Sequence, residues 1–238
     1  MTDKPDDSEL KDLDPYALFD REAERIEAHL RQLPDAEWER PSRCEGWSVR
    51  DVLAHLMATE EYHRACLGGT VQQLMARMGE RGATDLTTAN EMGVRDQDGK
   101  ATPELLKEWS ASNAATRDGF RQRGDGTVDS SVGDYSARWQ TFHLAMELAV
   151  HADDMYVPQT PDEADDRKAW RAAFSRFTLR EYKPDVDVEV TAPGRTRVQR
   201  ENLTVEVDDG ELIEGVAARL DDSSRLGQSE RDVLAATP

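Results

Sequence analysis

The segment HLAMELAVHADDM, residues 143–155, carries His143, Glu147 and His151 at steps of four and closes on Asp153 and Asp154. On an α-helix a step of four advances the side chain by about 40° around the axis, so these three climb one face. That face borders Met146 and Val150, and burying an ionised glutamate there is unfavourable unless a cation or a metal ion compensates it. His55 sits among Val52, Leu53, Leu56 and Met57, so it also points inward from its own helix. Two donors at i and i+4 joined by a third from another helix make a three-ligand metal site with open positions for water or substrate. Imidazole with carboxylate suits zinc first, with nickel, iron or manganese as alternatives.

The spacing leaves competing readings open. A lone inward histidine can be a hydrogen-bonded core residue, and a His/Glu pair four apart can be a surface ion pair. His143 and His63 compete as ligands on the same grounds. Glu60 and Glu61 read as solvated helix residues, and Asp153 and Asp154 as surface acids. Asp154 follows His151 by three residues, however, and could orient its imidazole from behind.

Several helices must position these groups. Asp14-Pro15 is a cap with proline at the first helical position, followed by Phe19, Ala23, Ile26, Leu30 and Leu33 at helical steps. Ser48 with Asp51 forms a capping box that opens a second helix, which Gly68-Gly69 interrupts or bends before Val71, Leu74, Met75 and Met78 resume the period. Residues 79–101 read as a long polar crossover. Thr102-Pro103 opens a third helix with Leu105, Leu106, Trp109 and Phe120, and residues from about 136 form a fourth with Trp139, Phe142, Met146 and Val150 as its core stripe. Four amphipathic helices with one long crossover describe a four-helix bundle.

Beyond the acidic linker VPQTPDEADD the pattern changes: a helix containing Trp170, Phe174 and Phe177, then the alternating strands VDVEV and LTVEV, with Asp209-Gly210 turning into a further hairpin strand ELIEGV. The expected organisation is a flexible acidic tail over residues 1–12, the bundle over 13–158, and a small α/β domain with a polar tail over 165–238. The fold class is mainly α.

With 49 Asp+Glu against 30 Lys+Arg the chain carries a net charge of -19, which disfavours nucleic acid and anionic membranes as partners. No apolar run reaches the length of a membrane span, and the N-terminus lacks a signal-peptide layout, so a cytoplasmic location is expected. Cys44 and Cys66 form no CxxC pattern and read as reduced, packed thiols.

The stretch WERPSRCEGWSVRDVLAHL, followed some ninety residues on by ELAVHADD, resembles the N-terminal metal-binding domain of the mycothiol-dependent maleylpyruvate isomerase family, within the wider DinB-like helical bundles. The resemblance covers roughly residues 10–160. It implies His55, Glu147 and His151 as ligands of a zinc ion, and mycothiol as a thiol cosubstrate. Glu147 favours the isomerase-like branch over the DinB-like proteins that use three histidines. The implied activity is isomerisation, or thiol transfer, on a small electrophilic metabolite. The family's α/β domain supplies an arginine near a closing Gly-Arg. Here that ending is missing, and Arg219 or Arg225 are the candidates, a solvated surface arginine being the alternative for each. Trp47 reads as a core anchor or a pocket-lining residue, and Arg50 as a partner for nearby carboxylates or as solvated. A metal-dependent hydrolase on the same bundle and a non-catalytic small-ligand-binding protein are the competing functions. The sequence leaves the substrate and the choice between monomer and dimer open.

Overall fold

A computed structural model describes residues 5–236. The chain divides into two compact units, one formed by Asp14–Pro158 and the other by Gln159–Pro238 with the N-terminal segment up to Leu13. No helix among the described residues is long and apolar enough to cross a membrane.

The first unit contains α1 (Pro15–Leu30), α2 (Val49–Gly68), α3 (Val71–Glu80), α4 (Leu86–Arg95), α5 (Thr102–Arg123), the two-residue strands β1 (Thr127–Val128) and β2 (Tyr135–Ser136), and α6 (Ala137–Asp154). Helices α1, α2, α5 and α6 form the bundle, α1 lying against α6 and α5, and α2 against α5 and α6. Helices α1, α2 and α6 start where a side chain satisfies free backbone donors, whereas α5 opens on a proline in its first turn. Asp14 accepts from the amides of Tyr16 (2.9 Å) and Ala17 (3.3 Å). The amide of Asp51 donates to Ser48 Oγ at 3.2 Å while the amide of Ser48 donates to Asp51 Oδ2 at 2.9 Å. The core is built from Phe19, Ile26, Leu53, Leu56, Leu105, Trp109, Phe120 and Phe142, all at most 1% exposed, each stabilising the fold by roughly 1.5–3 kcal/mol.

Two expectations for this unit need correction. The crossover over residues 79–101 holds a helix, α4, opened by Asp85, whose Oδ1 accepts from the Thr88 amide at 2.8 Å. Its polar composition hides this because only Gly93 and Val94 are buried. On α6 the core face is Leu144, Ala145, Leu148, Ala149 and Ala152, while Met146 and Val150 are only part-buried. Three fully buried alanines let α1 approach α6 closely, and small residues do not register as an apolar stripe.

The second unit contains α7 (Pro161–Tyr182), β3 (Asp187–Ala192), β4 (Arg195–Arg200), β5 (Leu203–Asp208), α8 (Asp209–Val216) and α9 (Gln228–Leu234). The sheet is an antiparallel meander, β3-β4-β5, with Val188 opposite Val198 and Val198 opposite Val205. Its core joins Ala172 and Leu179 to Val198, Val205, Val207, Leu212, Ile213 and Leu234.

The acidic linker is instead the first turn of α7: Thr160 and Glu163 form a capping box, and Asp162 and Glu163 lie at the positive end of the helix. ELIEGV is helical, not a hairpin strand, because Asp208 caps it by accepting from the Glu211 amide at 2.9 Å. Between VDVEV and LTVEV lies a further strand, RTRVQR, whose arginines mask the inward pair Thr196 and Val198. Of the expected flexible tail, residues 1–4 lie outside the described residues. In the remainder Leu10 is buried, and Glu9 Oε1 pairs with Arg180 Nη1 at 3.2 Å while Oε2 accepts from Arg176 Nε at 2.7 Å. The polar C-terminal tail likewise packs, with Val233 and Leu234 buried on α9.

Candidate metal centre

The capping box fixes where α2 begins, and His55 follows the cap Ser48 by two turns, pointing into the bundle at 5% exposure. From α6, Glu147 and His151 face it. The ring centroids of His55 and His151 are 4.9 Å apart at 69°, and His55 Nε2 lies 3.5 Å from Glu147 Oε1. One ligand atom from each of the three residues falls within 4.8 Å of the others. Zinc bonds of about 2.0–2.1 Å at tetrahedral angles place neighbouring ligand atoms about 3.4 Å apart, so the His55–Glu147 separation matches one edge of such a site. The side chain of Glu147 keeps 27% of its surface exposed, which leaves this cluster open to small molecules.

Asp154, expected as a surface acid or as a group behind His151, is fully buried, and its Oδ2 lies 3.1 Å from His151 Nδ1. The same oxygen accepts from Cys44 Sγ at 3.1 Å, and Cys44 Sγ is 3.9 Å from His151 Nδ1. With Nδ1 committed to this side, Nε2 of His151 is the nitrogen available toward His55 and Glu147. Cys44, His151 and Asp154 also form a compact trio of donor atoms. A carboxylate gripping one nitrogen of an imidazole whose other nitrogen meets a metal is the usual way such ligands are oriented, so the Cys44–Asp154 side fits a supporting role. His151 is anchored in this way, whereas His55 Nδ1 is buried with no hydrogen-bond partner among the described residues.

The electrostatics are those of carboxylates held by imidazoles. Burial alone would raise Glu147, yet His55 and His63 outweigh it and hold its carboxyl far below the usual carboxylate range. Burial would lower His151, but Asp154 and then Cys44 bring it up to about 9. His55 is lowered, mainly by burial and further by the neighbouring His151, which favours the neutral, ligand-competent imidazole.

The other candidates fall elsewhere. His143 Nε2 meets the Tyr135 hydroxyl at 3.1 Å and stands outside the converging donors. His63 Nε2 lies 3.6 Å from Glu147 Oε2, on the opposite oxygen from His55. Glu60, expected to be solvated, is 1% exposed, with Asn113 Nδ2 donating to Oε1 at 2.9 Å and Thr116 Oγ1 donating to Oε2. Glu61 is an exposed partner of Arg77 at 2.8 Å, and Asp153 is part-exposed. The ring of Trp47 sits 5.2 Å from that of His55. Arg50 braces the crossover, donating to the carbonyls of Gln97 (3.0 Å) and Lys100 (2.8 Å). Arg219 belongs to the second unit, where Nη1 donates to the Ala217 carbonyl at 3.4 Å, and Arg225 grips both carboxylate oxygens of Glu211 at 2.8 Å.

Sequence reasoning missed the parts played by Cys44 and Glu60. Cys44 lies in the loop ahead of the α2 cap, where no period marks its direction. Glu60 is placed inward by its α2 position three residues before His63, a signal that its charge obscured.

The family model described as the mycothiol maleylpyruvate isomerase N-terminal domain matches residues 19–156. The chain belongs to that family. It is similar to a crystal structure of the mycothiol-dependent maleylpyruvate isomerase over 71% of this chain and 68% of that one, with a TM-score of 0.50 and 16% sequence identity. At that identity the likeness shows the fold. No curated protein matches the chain.

Proposed function

We propose that this member of the mycothiol maleylpyruvate isomerase N-terminal domain family is a zinc-dependent thiol enzyme, using mycothiol for isomerisation or thiol transfer on a small electrophilic metabolite. The observation that carries the reading is the convergence of His55, Glu147 and His151 within 4.8 Å, beside the part-exposed Glu147. A divalent ion in such a site acts as a Lewis acid that lowers the pKa of a thiol, making the thiolate nucleophile available at neutral pH.

This chain's residues contribute positioning and charge. His55, Glu147 and His151 supply three donors of one net negative charge. Asp154, backed by Cys44, keeps the His151 ring turned so that Nε2 is presented. Trp47 packs beside His55 and limits the room around its ring. In the isomerisation reading the mycothiol thiolate adds to an activated double bond, the former double bond rotates, and the thiolate is expelled as the double bond reforms in the other geometry. In the transfer reading the carbon–sulfur bond is retained.

Elemental analysis of protein purified without chelators tests the metal: about one zinc-like ion per chain is expected, lost on changing His55, Glu147 or His151 to alanine. Calorimetric titration with mycothiol tests the thiol, with binding expected for the loaded protein and abolished in E147A. Absence of a stoichiometric transition metal in the parent overturns the metal reading. A metal-loaded protein that ignores mycothiol shifts the assignment to hydrolysis, with water in place of the thiol.

A further inference from the structure

Glu60 and His63 have no part in the three-donor cluster, yet both are buried beside it. They lie three residues apart on α2. The Glu60 carboxylate is held by Asn113 and Thr116 of α5, and its Oε1 is 3.7 Å from His63 Nδ1. The other ring nitrogen of His63 faces Glu147 Oε2 at 3.6 Å, while Glu147 Oε1 faces His55 Nε2 at 3.5 Å. The Glu147 carboxylate is thus divided between two imidazoles, only one of which belongs to the donor set. A carboxylate can bind a metal through one oxygen or both, and the second mode would consume an open coordination position.

We propose that His63, seated on Glu60, is a positioning residue that keeps Oε2 of Glu147 off the metal, so that Glu147 binds through Oε1 alone and positions remain open for thiol and substrate. The proposal rests on the metal reading above. Its physical basis is that an ionised carboxylate buried as deeply as Glu60 is unfavourable for stability, and its neighbours Asn113 and Thr116 are committed to holding it where it can support His63.

Cobalt(II) substitution tests this without reference to turnover, because the intensity of the visible bands falls as the coordination number rises. His63→Gln places an amide near the position of Nε2 and is expected to keep both the cobalt affinity and the spectrum of the parent. His63→Asn places its amide near Nδ1, can reach Glu60 but not Glu147, and is expected to weaken cobalt binding by about tenfold or more with weaker visible bands. The double variant His63→Leu with Glu60→Gln removes the imidazole together with the buried charge of Glu60, is expected to retain the helical circular dichroism of the parent, and should behave like His63→Asn. Parent-like affinity and spectra in His63→Asn and the double variant overturn the proposal. So does a His63→Gln protein that binds cobalt no better than His63→Asn, since that result makes His63 a ligand. A parent protein that binds no cobalt fails earlier, and overturns the metal reading itself.

Discussion

Asp154 offers the most direct test of how the candidate centre is held together. It is fully buried, and its Oδ2 meets both His151 Nδ1 and Cys44 Sγ at 3.1 Å. Asp154→Asn retains an oxygen that can accept from Nδ1 but loses the charge, replacing a charge-assisted hydrogen bond of about 1.5–3 kcal/mol with a neutral one of about 0.5–1.5 kcal/mol. The difference of about 1 kcal/mol corresponds to roughly a fivefold loss of zinc affinity. Asp154→Ala also releases the ring, and loss of such an outer partner weakens metal binding by about 10–100-fold, or about 1.4–2.8 kcal/mol. The expected order of affinity is parent, then Asp154→Asn, then Asp154→Ala, read by competition of zinc against a chromophoric chelator at fixed pH. Equal affinities across the series, or an asparagine variant weaker than the alanine variant, would refute the view that this carboxylate orients His151.

Two further outcomes follow from the packing and the buried thiol. Burial, assisted by Asp129, pushes the Cys66 thiol up to about 12, so it should resist thiol reagents at pH 8 in the native protein and react only in denaturant; because its folded pKa is raised, the stability it contributes is whole below the unfolded value of about 8.5 and is lost as pH rises through that value toward about 12, a decline measurable by urea melts. A Cβ on Gly93 would meet Ala58 Cβ at 2.7 Å, whereas one on Gly119 would meet the flexible end of Leu67 at 2.6 Å; Gly93→Ala is therefore expected to destabilise by about 1–3 kcal/mol, and Gly119→Ala by less, with equal urea midpoints arguing against the close approach of α4 to α2.

The bundle helices α1, α2 and α5 are the most legible part of the chain, since the Asp14 and Ser48 caps and their inward periods are all written in local sequence. The co-facing of Glu147 and His151 follows from their spacing, and His55 is marked by its apolar neighbours. What escaped detection shares a physical cause: polar residues conceal elements whose few buried positions decide the fold. In α4 those positions are Gly93 and Val94, in β4 Thr196 and Val198 between arginines, and in α7 an acidic first turn that looks like a linker until Thr160 is recognised as its cap. Glu60 resembles a solvated residue in sequence because a carboxylate at a core position is intelligible only once Asn113 and Thr116 arrive from a helix some fifty residues away.

That buried polar network also bears on why the bundle tolerates so costly a core. Glu60, Glu147 and Asp154 converge with His55, His63 and His151 inside a helical unit whose core is otherwise built mainly of apolar side chains. Well-packed apolar side chains in the same volume would be neutral or stabilising by comparison, so stability does not account for the arrangement. The carboxylates require positive charge in any state of the protein. With no metal bound, Asp154 and then Cys44 raise His151, and Glu147 with Glu60 raises His63, each up to about 9 against the effect of burial, and these imidazoles supply it; a metal ion taken up at Nε2 of His151 displaces the proton there. His55 is shifted the other way, mainly by burial, which favours its neutral form. The network places two imidazole nitrogens and a carboxylate oxygen within 4.8 Å of one another, with Asp154 behind His151 and His63 beside Glu147. Such a division suits a site that takes up an external cation better than one built only to hold four helices together.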